Sequence, residues 1–199
     1  MNGIVERCRG ASAALPTPHR MGRVDPQALE ALCHRLIDRG VAALVPCGTT
    51  GESALLSPPE HHDVVAAAVA AAHERVPVIA GAGSNNTQTA IALAQSAEQA
   101  GADALLCVTP FYLKPTQAGL MLHFRAIHDA VGIPIILYDV PSRTACDERL
   151  EADIRWFDQV LQLLHAALFL KATRPRSSAL YRLGLMGDGL RLPLTPRAA

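Results

Sequence analysis

Short apolar runs recur along the first two thirds of the chain, separated by segments with helical periodicity. The runs begin about thirty residues apart, near Ala11, Ala42, Val76, Ala104 and Ile133. Two of them, 76–80 and 133–137, are apolar on both faces of a strand. Such runs are typical of parallel strands buried between helices. The repeat therefore predicts a parallel α/β fold, either a barrel or a doubly wound sheet.

Capping residues mark where the intervening helices begin and end. Asp25 is an N-cap followed by a first-turn proline, and Gly40 closes the same helix. Residues 57–60, Ser-Pro-Pro-Glu, have the spacing of a capping box. The next helix begins at Asn86 or Thr87 and ends at Gly101, and residues 116–131 form a fourth. One helix is thus predicted between each pair of consecutive strands.

Composition narrows the possible partners. The 199-residue chain is 50% hydrophobic and 18% charged, and its 18 basic residues balance its 18 acidic ones. That balance argues against binding nucleic acid or an anionic membrane. The longest apolar stretch, 64–72, is shorter than the roughly 20 residues of a membrane span, and the first ten residues carry charges where a signal peptide would be apolar. We expect a cytoplasmic protein with small-molecule ligands.

Three features admit a chemical interpretation but are better explained otherwise. The five cysteines are odd in number and form no C-x-x-C pair, so they are predicted to be reduced. Cys47 precedes a glycine loop and is either a packed thiol, the favoured alternative, or a nucleophile. The adjacent His61 and His62 point about 100° apart on a helix and predict a solvated first turn, not a metal site. Residues 81–86 lack the third glycine of a dinucleotide motif.

The pattern changes after Asp147. Residues 153–169 have apolar residues at helical spacing and predict a long helix with a core or interface stripe: Ile154, Phe157, Leu161, Leu164 and Leu168. No sixth, seventh or eighth strand is evident, and an eight-stranded barrel typically takes about 250 residues. We therefore predict that residues 1–147 form βα units one to five and that 148–199 form a C-terminal helical segment of the same domain.

Polar residues follow predicted strands two to five, at the strand ends where parallel sheets bind ligands. In Gly48–Ser53, two threonines between glycines offer hydroxyl and amide groups to a small carboxylate. Tyr112, Tyr138 and a threonine can form a chain of hydroxyls that moves a proton. Arg143 can hold a carboxylate through two parallel N–H bonds. The residues thus predict a small carboxylate substrate and proton transfer.

Together these loops resemble the dihydrodipicolinate synthase branch of the pyruvate-dependent class I aldolases. The resemblance runs from about residue 3 to Asp147 and rests on four motifs in family order: Gly48–Ser53, Gly81–Asn85, Val108–Tyr112 with Lys114-Pro115, and Tyr138–Thr144. Asp139 stands where the family has asparagine. The resemblance implies the (βα)8 TIM-barrel family of parallel α/β folds. Here it implies an incomplete barrel of about five βα units plus C-terminal helices.

The resemblance also implies a function. The family is a Schiff-base lyase that condenses pyruvate with aspartate semialdehyde in lysine biosynthesis, without metal or cofactor. By position, Thr49, Tyr112 and Tyr138 correspond to proton-relay hydroxyls, Thr50 to the pyruvate-carboxylate ligand and Arg143 to the semialdehyde-carboxylate ligand. The residue matching Tyr112 reaches into a neighbouring subunit, which implies a homodimer or homotetramer.

The family nucleophile is a lysine on the sixth strand. This chain has two lysines, Lys114 in the strand-four loop and Lys171. Residues 170–173 are faintly similar to the missing strand, while their flanks and residues 190–196 match the family's C-terminal helices. We infer an internal deletion of about three βα units. Lys171 is then either a replacement nucleophile or a solvated lysine, and the chain is a synthase, an inactive keto-acid-binding or assembly module, or another aldolase of the N-acetylneuraminate lyase superfamily.

Overall fold

The computed structural model describes residues 2–144 and 160–162. Each of the five predicted strands is present, and helices alternate with them. The elements are α1 Asn2–Arg7, β1 Ser12–Ala14, the hairpin strands β2 His19–Arg20 and β3 Arg23–Val24, α2 Pro26–Asp38, β4 Ala43–Val45, α3 Pro58–Ala72, β5 Ile79–Gly81, α4 Thr87–Gln99, β6 Ala104–Val108, α5 Gln117–His128, β7 Ile135–Tyr138, α6 Pro141–Thr144 and β8 Val160–Gln162.

The predicted helix starts are confirmed. The side chains of Asp25, Asn86 and Thr116 each accept a hydrogen bond from the backbone amide three residues further on. Ser57 and Glu60 form the reciprocal pair of hydrogen bonds of a capping box. These bonds satisfy amides that the first turn of a helix leaves without a partner, so the boundaries follow from local chemistry.

The strands of the main sheet follow one another in chain order. β1 pairs with β4, and β5, β6, β7 and β8 pair in sequence, all parallel. A parallel bridge between Leu44 and Val78 links the two groups, and the Gly81 amide donates to the Pro46 carbonyl at 2.9 Å. A doubly wound sheet reverses its strand order, whereas a barrel does not. The observed order is therefore that of a barrel.

The two faces of this sheet have different coverings. One face packs against α2 to α5 through Leu44, Val78, Ala80, Leu105, Cys107, Ile135 and Leu137. The other carries a separate cluster, Ala43, Val45, Ile79, Ala104, Leu106, Ile136 and Tyr138, against which Ile4 and Cys8 pack. Doubly wound folds place helices on both faces, and barrels place them outside. Among the described residues, α2 to α5 cover only the outer face, so the second cluster corresponds to a barrel interior.

The prediction that no sixth strand follows β7 is wrong. Val160–Gln162 forms β8 and pairs in parallel with Ile135–Leu137 of β7. A helix predicted over residues 153–169 is therefore also wrong at 160–162. The edge of β7 presents backbone N–H and C=O groups that need partners, and three residues in a strand can supply them whatever the spacing of apolar residues around them. The rest of 153–169 and the division between 147 and 148 lie outside the described residues.

The sequence predicted reduced cysteines and no membrane-spanning helix. Cys8, Cys33, Cys47 and Cys107 are free thiols, and Cys146 lies outside the described residues. In the ranges 2–144 and 160–162, every helix is too short or too polar to cross a bilayer.

Candidate active site at the strand ends

The polar loops after β4, β5, β6 and β7 meet at one edge of the sheet because the strands are parallel. Backbone pairing continues past the strands and holds the loop bases together: the Ala82 amide donates to the Leu106 carbonyl at 3.0 Å, and the Thr109 amide to the Tyr138 carbonyl at 3.1 Å. This edge is where parallel α/β proteins bind ligands.

The loop after β4, residues Gly48–Gly51, is a compact turn that we call the β4 loop. The Gly51 amide donates to the Gly48 carbonyl at 3.0 Å, and the Thr17 hydroxyl donates to the Gly51 carbonyl at 2.7 Å. Thr49 and Thr50 are exposed. The turn is therefore fixed from beneath while both hydroxyls stay accessible to a ligand.

Gly81 and Gly83 are explained by close contact between strand ends. A Cβ on Gly81 would overlap the Cys47 carbonyl oxygen, and a Cβ on Gly83 would overlap the Val108 amide. Backbone is less able than a side chain to move aside, so these positions require glycine. The two glycines of the 81–86 motif thus have a structural cause.

The prediction that His61 lies in a solvated first turn is wrong. The residue is buried, with 2% of its surface exposed. It shares the buried face of α3 with Val64, Val65 and Ala68, one helical turn apart. Its Nε2 lies 2.7 Å from the Gly81 carbonyl oxygen. Burial lowers the pKa of the imidazole. Among the described residues, no group of three histidine, cysteine or acidic residues is placed to hold a metal ion.

Cys47 has the features of a packed thiol. It is 1% exposed, and burial raises its pKa to about 12. A thiol needs a lowered pKa to react as thiolate at neutral pH, so the packing alternative is the one the structure supports. Its backbone has φ +55°, in the left-handed region that residues with a Cβ seldom occupy.

Tyr138 ends β7 on the inner face and is 8% exposed. Burial raises the pKa of its phenol, and the positive charge of Arg143 partly opposes that shift. Tyr138 therefore stays protonated near neutral pH, so its hydroxyl can both donate and accept a hydrogen bond. The Arg143 side chain is exposed. The exposed Arg143 is thus close enough to the buried Tyr138 for its charge to act on the phenol.

Tyr112 occupies a different environment. Its side chain is 87% exposed, and Leu113 beside it is 61% exposed. Tyr112 and Lys114 both have left-handed backbone, with φ +73° and +48°. A side chain so exposed has little contact with its own chain, so Tyr112 is not packed with the buried Tyr138. We call residues Phe111–Lys114 the β6 loop.

The sequence patterns did not identify Thr17, assigned His61 to solvent and placed Thr109 in a strand-end motif without a role. Thr109 is fully buried, and its hydroxyl has no hydrogen-bond partner among the described residues. The recurrence of His61 with apolar residues at helical spacing indicates the buried face of α3. Thr17 and Thr109 carry no comparable pattern, because their roles depend on contacts between distant segments.

Comparison with known proteins agrees with this architecture. The model of the Dihydrodipicolinate synthetase family matches residues 7–155. A 4-hydroxy-tetrahydrodipicolinate synthase from Rhodopseudomonas palustris (strain BisA53) is 53% identical over 150 residues, which are 75% of this chain and 51% of that protein. The structure of the synthase from Methylacidiphilum fumariolicum SolV is 38% identical with a TM-score of 0.72, over 76% of this chain and 50% of that one.

A monomeric dihydrodipicolinate synthase variant is also similar, with 37% identity and a TM-score of 0.69 over 71% of this chain and 47% of that one. This chain spans about half the length of the curated relatives it matches. The strand order, the helices on one face and the matches over most of the chain lead to one conclusion. The chain belongs to the dihydrodipicolinate synthetase family, whose solved members are TIM-barrel proteins.

Proposed function

We propose that the strand-end site binds pyruvate and serves the 4-hydroxy-tetrahydrodipicolinate synthase reaction, the condensation of pyruvate with aspartate semialdehyde in lysine biosynthesis. One observation carries the proposal: two exposed threonines in a rigid turn share a sheet edge with a buried tyrosine and an exposed arginine. A reaction between a keto acid and an acidic aldehyde needs a ligand for each of the two carboxylates and a proton donor.

Each residue has a separate part in this proposal. The Thr50 hydroxyl and neighbouring amides hold the pyruvate carboxylate, and Arg143 holds the carboxylate of the semialdehyde. Tyr138, protonated and shielded from solvent, exchanges the proton at the reacting carbon, and Thr49 and Tyr112 connect it with solvent. Tyr112 comes from a neighbouring subunit, which is consistent with its exposure in one chain.

The condensation also needs an amine. A lysine Nζ attacks the pyruvate carbonyl carbon and water leaves, so that the protonated imine can lose a methyl proton and become the carbon nucleophile. Lys114 is exposed on the β6 loop, and Lys171 lies outside the described residues. A keto-acid-binding module without turnover is the second candidate, and it rests on the chain having two lysines, Lys114 and Lys171.

Reductive trapping decides between the two. The protein is incubated with pyruvate and borohydride, weighed and digested to map any modified lysine. One reduced pyruvate adduct at a single lysine, lost when that lysine is replaced by arginine, supports the lyase. Pyruvate binding in a calorimeter without an adduct supports the binding module. Neither binding nor an adduct contradicts both.

The proposal also covers the completeness of the barrel and the oligomeric state. We propose an incomplete barrel in which 1–147 and 148–199 form one domain, since the described part supplies six parallel strands. We also propose a homodimer or homotetramer, because Leu55, Tyr112 and Leu113 are exposed apolar side chains near the active edge. Sedimentation should show an oligomer that Tyr112→Ala with Leu113→Ser weakens, and a monomer at micromolar concentration would contradict the assembly.

A further inference from the structure

His61 links the ends of two strands from a buried position on α3. Its Nε2 lies 2.7 Å from the Gly81 carbonyl oxygen, and the side chain is almost fully buried. A carbonyl oxygen can only accept, so Nε2 must carry the proton and the imidazole is the Nε2–H tautomer. The imidazole therefore sets the direction of the last peptide group of β5.

Gly81 in turn contacts the base of the β4 loop. Its amide donates to the Pro46 carbonyl at 2.9 Å, and its Cα lies so close to the Cys47 carbonyl that a Cβ would overlap it. A displacement of Gly81 must therefore be transmitted to Cys47 and Gly48. Cys47 has left-handed backbone, a conformation that persists only where surrounding contacts hold it.

A second contact joins the same residues through the main chain. The Cys47 thiol donates to the His61 carbonyl oxygen at 3.8 Å. His61 thus meets β5 through its ring and the base of the β4 loop through its backbone. We propose that His61 is a positioning residue that fixes the Gly48–Gly51 turn for carboxylate binding without touching the ligand. The carboxylate-binding part of this inference rests on the proposed function.

His62 supplies a matched control on the same helix. It is half-buried, and its Nδ1 lies 3.1 Å from the Ser96 hydroxyl of α4. That contact joins two helices and has no connection to the strand ends. Replacing His61 or His62 by leucine removes the same chemical group from adjacent positions, while His61→Gln keeps a donor on a side chain of similar length.

The test combines amide NMR spectra with pyruvate titration in a calorimeter. His61→Leu should shift the amide signals of residues 48–51 and weaken pyruvate binding about tenfold, as expected for a lost buried hydrogen bond. His62→Leu should leave both unchanged, and His61→Gln should restore both in large part. Equal effects of the two leucine variants, or failure of glutamine to restore the signals, would overturn the proposal.

The tautomer of His61 provides a test that does not depend on the variants. The ¹⁵N shifts of the wild-type imidazole should report the Nε2–H tautomer with a slowly exchanging proton, and finding the Nδ1–H tautomer would overturn the proposal even if the variants fail to fold. If the wild type binds no pyruvate, the proposed function fails. The amide shifts of residues 48–51 still decide whether His61 positions the turn.

Discussion

The β4 loop and the β6 loop lie at the same edge of the sheet but are held in opposite ways. The β4 loop is held by the hydrogen bond from Thr17 and lies against Gly81, whose carbonyl contacts the buried His61. The β6 loop presents Tyr112 and Leu113 to solvent on strained backbone. One wall of the site is therefore organised within the chain, while the other has exposed apolar surface suited to a partner.

The largest expected effect comes from breaking the contact beneath the β4 loop. Gly81→Ala should lower the free energy of unfolding by about 3 kcal/mol or more, because its Cβ would overlap backbone that cannot move aside. Chemical denaturation measures the change.

Gly119→Ala is the matched control. Its new Cβ would make only ordinary contacts in α5, so stability should rise by up to about 1 kcal/mol. Equal losses in the two variants would contradict the steric explanation.

Acid should destabilise the folded chain through two buried histidines, one on α3 and one on α5. His61 and His123 are buried, and burial lowers the pKa of both below the ordinary 6.5. The unfolded chain therefore takes up more protons than the folded one as pH falls below 6.5. The free energy of unfolding should decrease by up to about 1.4 kcal/mol per pH unit for each histidine, until the folded-state pKa is reached.

Denaturation at a series of pH values measures this slope, and His61→Gln should reduce it. An unchanged slope in that variant would show that His61 is not one of the groups responsible.

A smaller effect should follow from loosening the β4 loop at Thr17. Thr17→Val removes the hydrogen bond to Gly51 and should cost about 1 kcal/mol of stability. Thr49→Val, at an exposed hydroxyl, should change stability by less than about 0.5 kcal/mol. Thermal and chemical denaturation compare the two, and a larger loss at Thr49 would reverse the assignment of which threonine holds the turn.

The smallest effect is expected in the β6 loop, with the opposite sign. Tyr112→Gly should raise the free energy of unfolding of the dissociated chain by about 0.5–1 kcal/mol, because glycine tolerates φ +73° and little buried surface is lost. Tyr112→Ala keeps the strain and should gain nothing. Denaturation at low protein concentration tests this, and a clear loss for glycine would show that the loop is held within the chain after all.

Local sequence patterns predicted where most helices and strands begin, but they did not predict which distant segments are in contact. Asp25, Ser57, Asn86 and Thr116 were predicted as helix starts and are confirmed, because a cap is made by residues only three positions apart. His61 was assigned to solvent because its partner, Gly81, is remote in sequence. The sixth strand was missed because its partner, the edge of β7, also lies outside any local window.

The roles of Thr49, Thr50, Tyr112, Tyr138 and Arg143 remain predictions. The structure shows that the two tyrosines occupy different environments. The residues alone predicted one hydroxyl chain containing Tyr112 and Tyr138, and the family resemblance directed Tyr112 to a neighbouring subunit. The structure buries one and exposes the other, a difference that depends on whether the side chain faces the sheet interior or leaves it at a turn.

The amino-acid sequence alone determined the alternation of strands and helices, the helix caps and the order of the strand-end motifs, since all of these depend on neighbours along the chain. The tertiary structure alone places the helices on one face of the sheet, pairs β8 with β7 and brings the buried His61 against the Gly81 carbonyl. These depend on backbone groups from distant segments finding partners in a shared, water-free interior, where an unsatisfied polar group is costly.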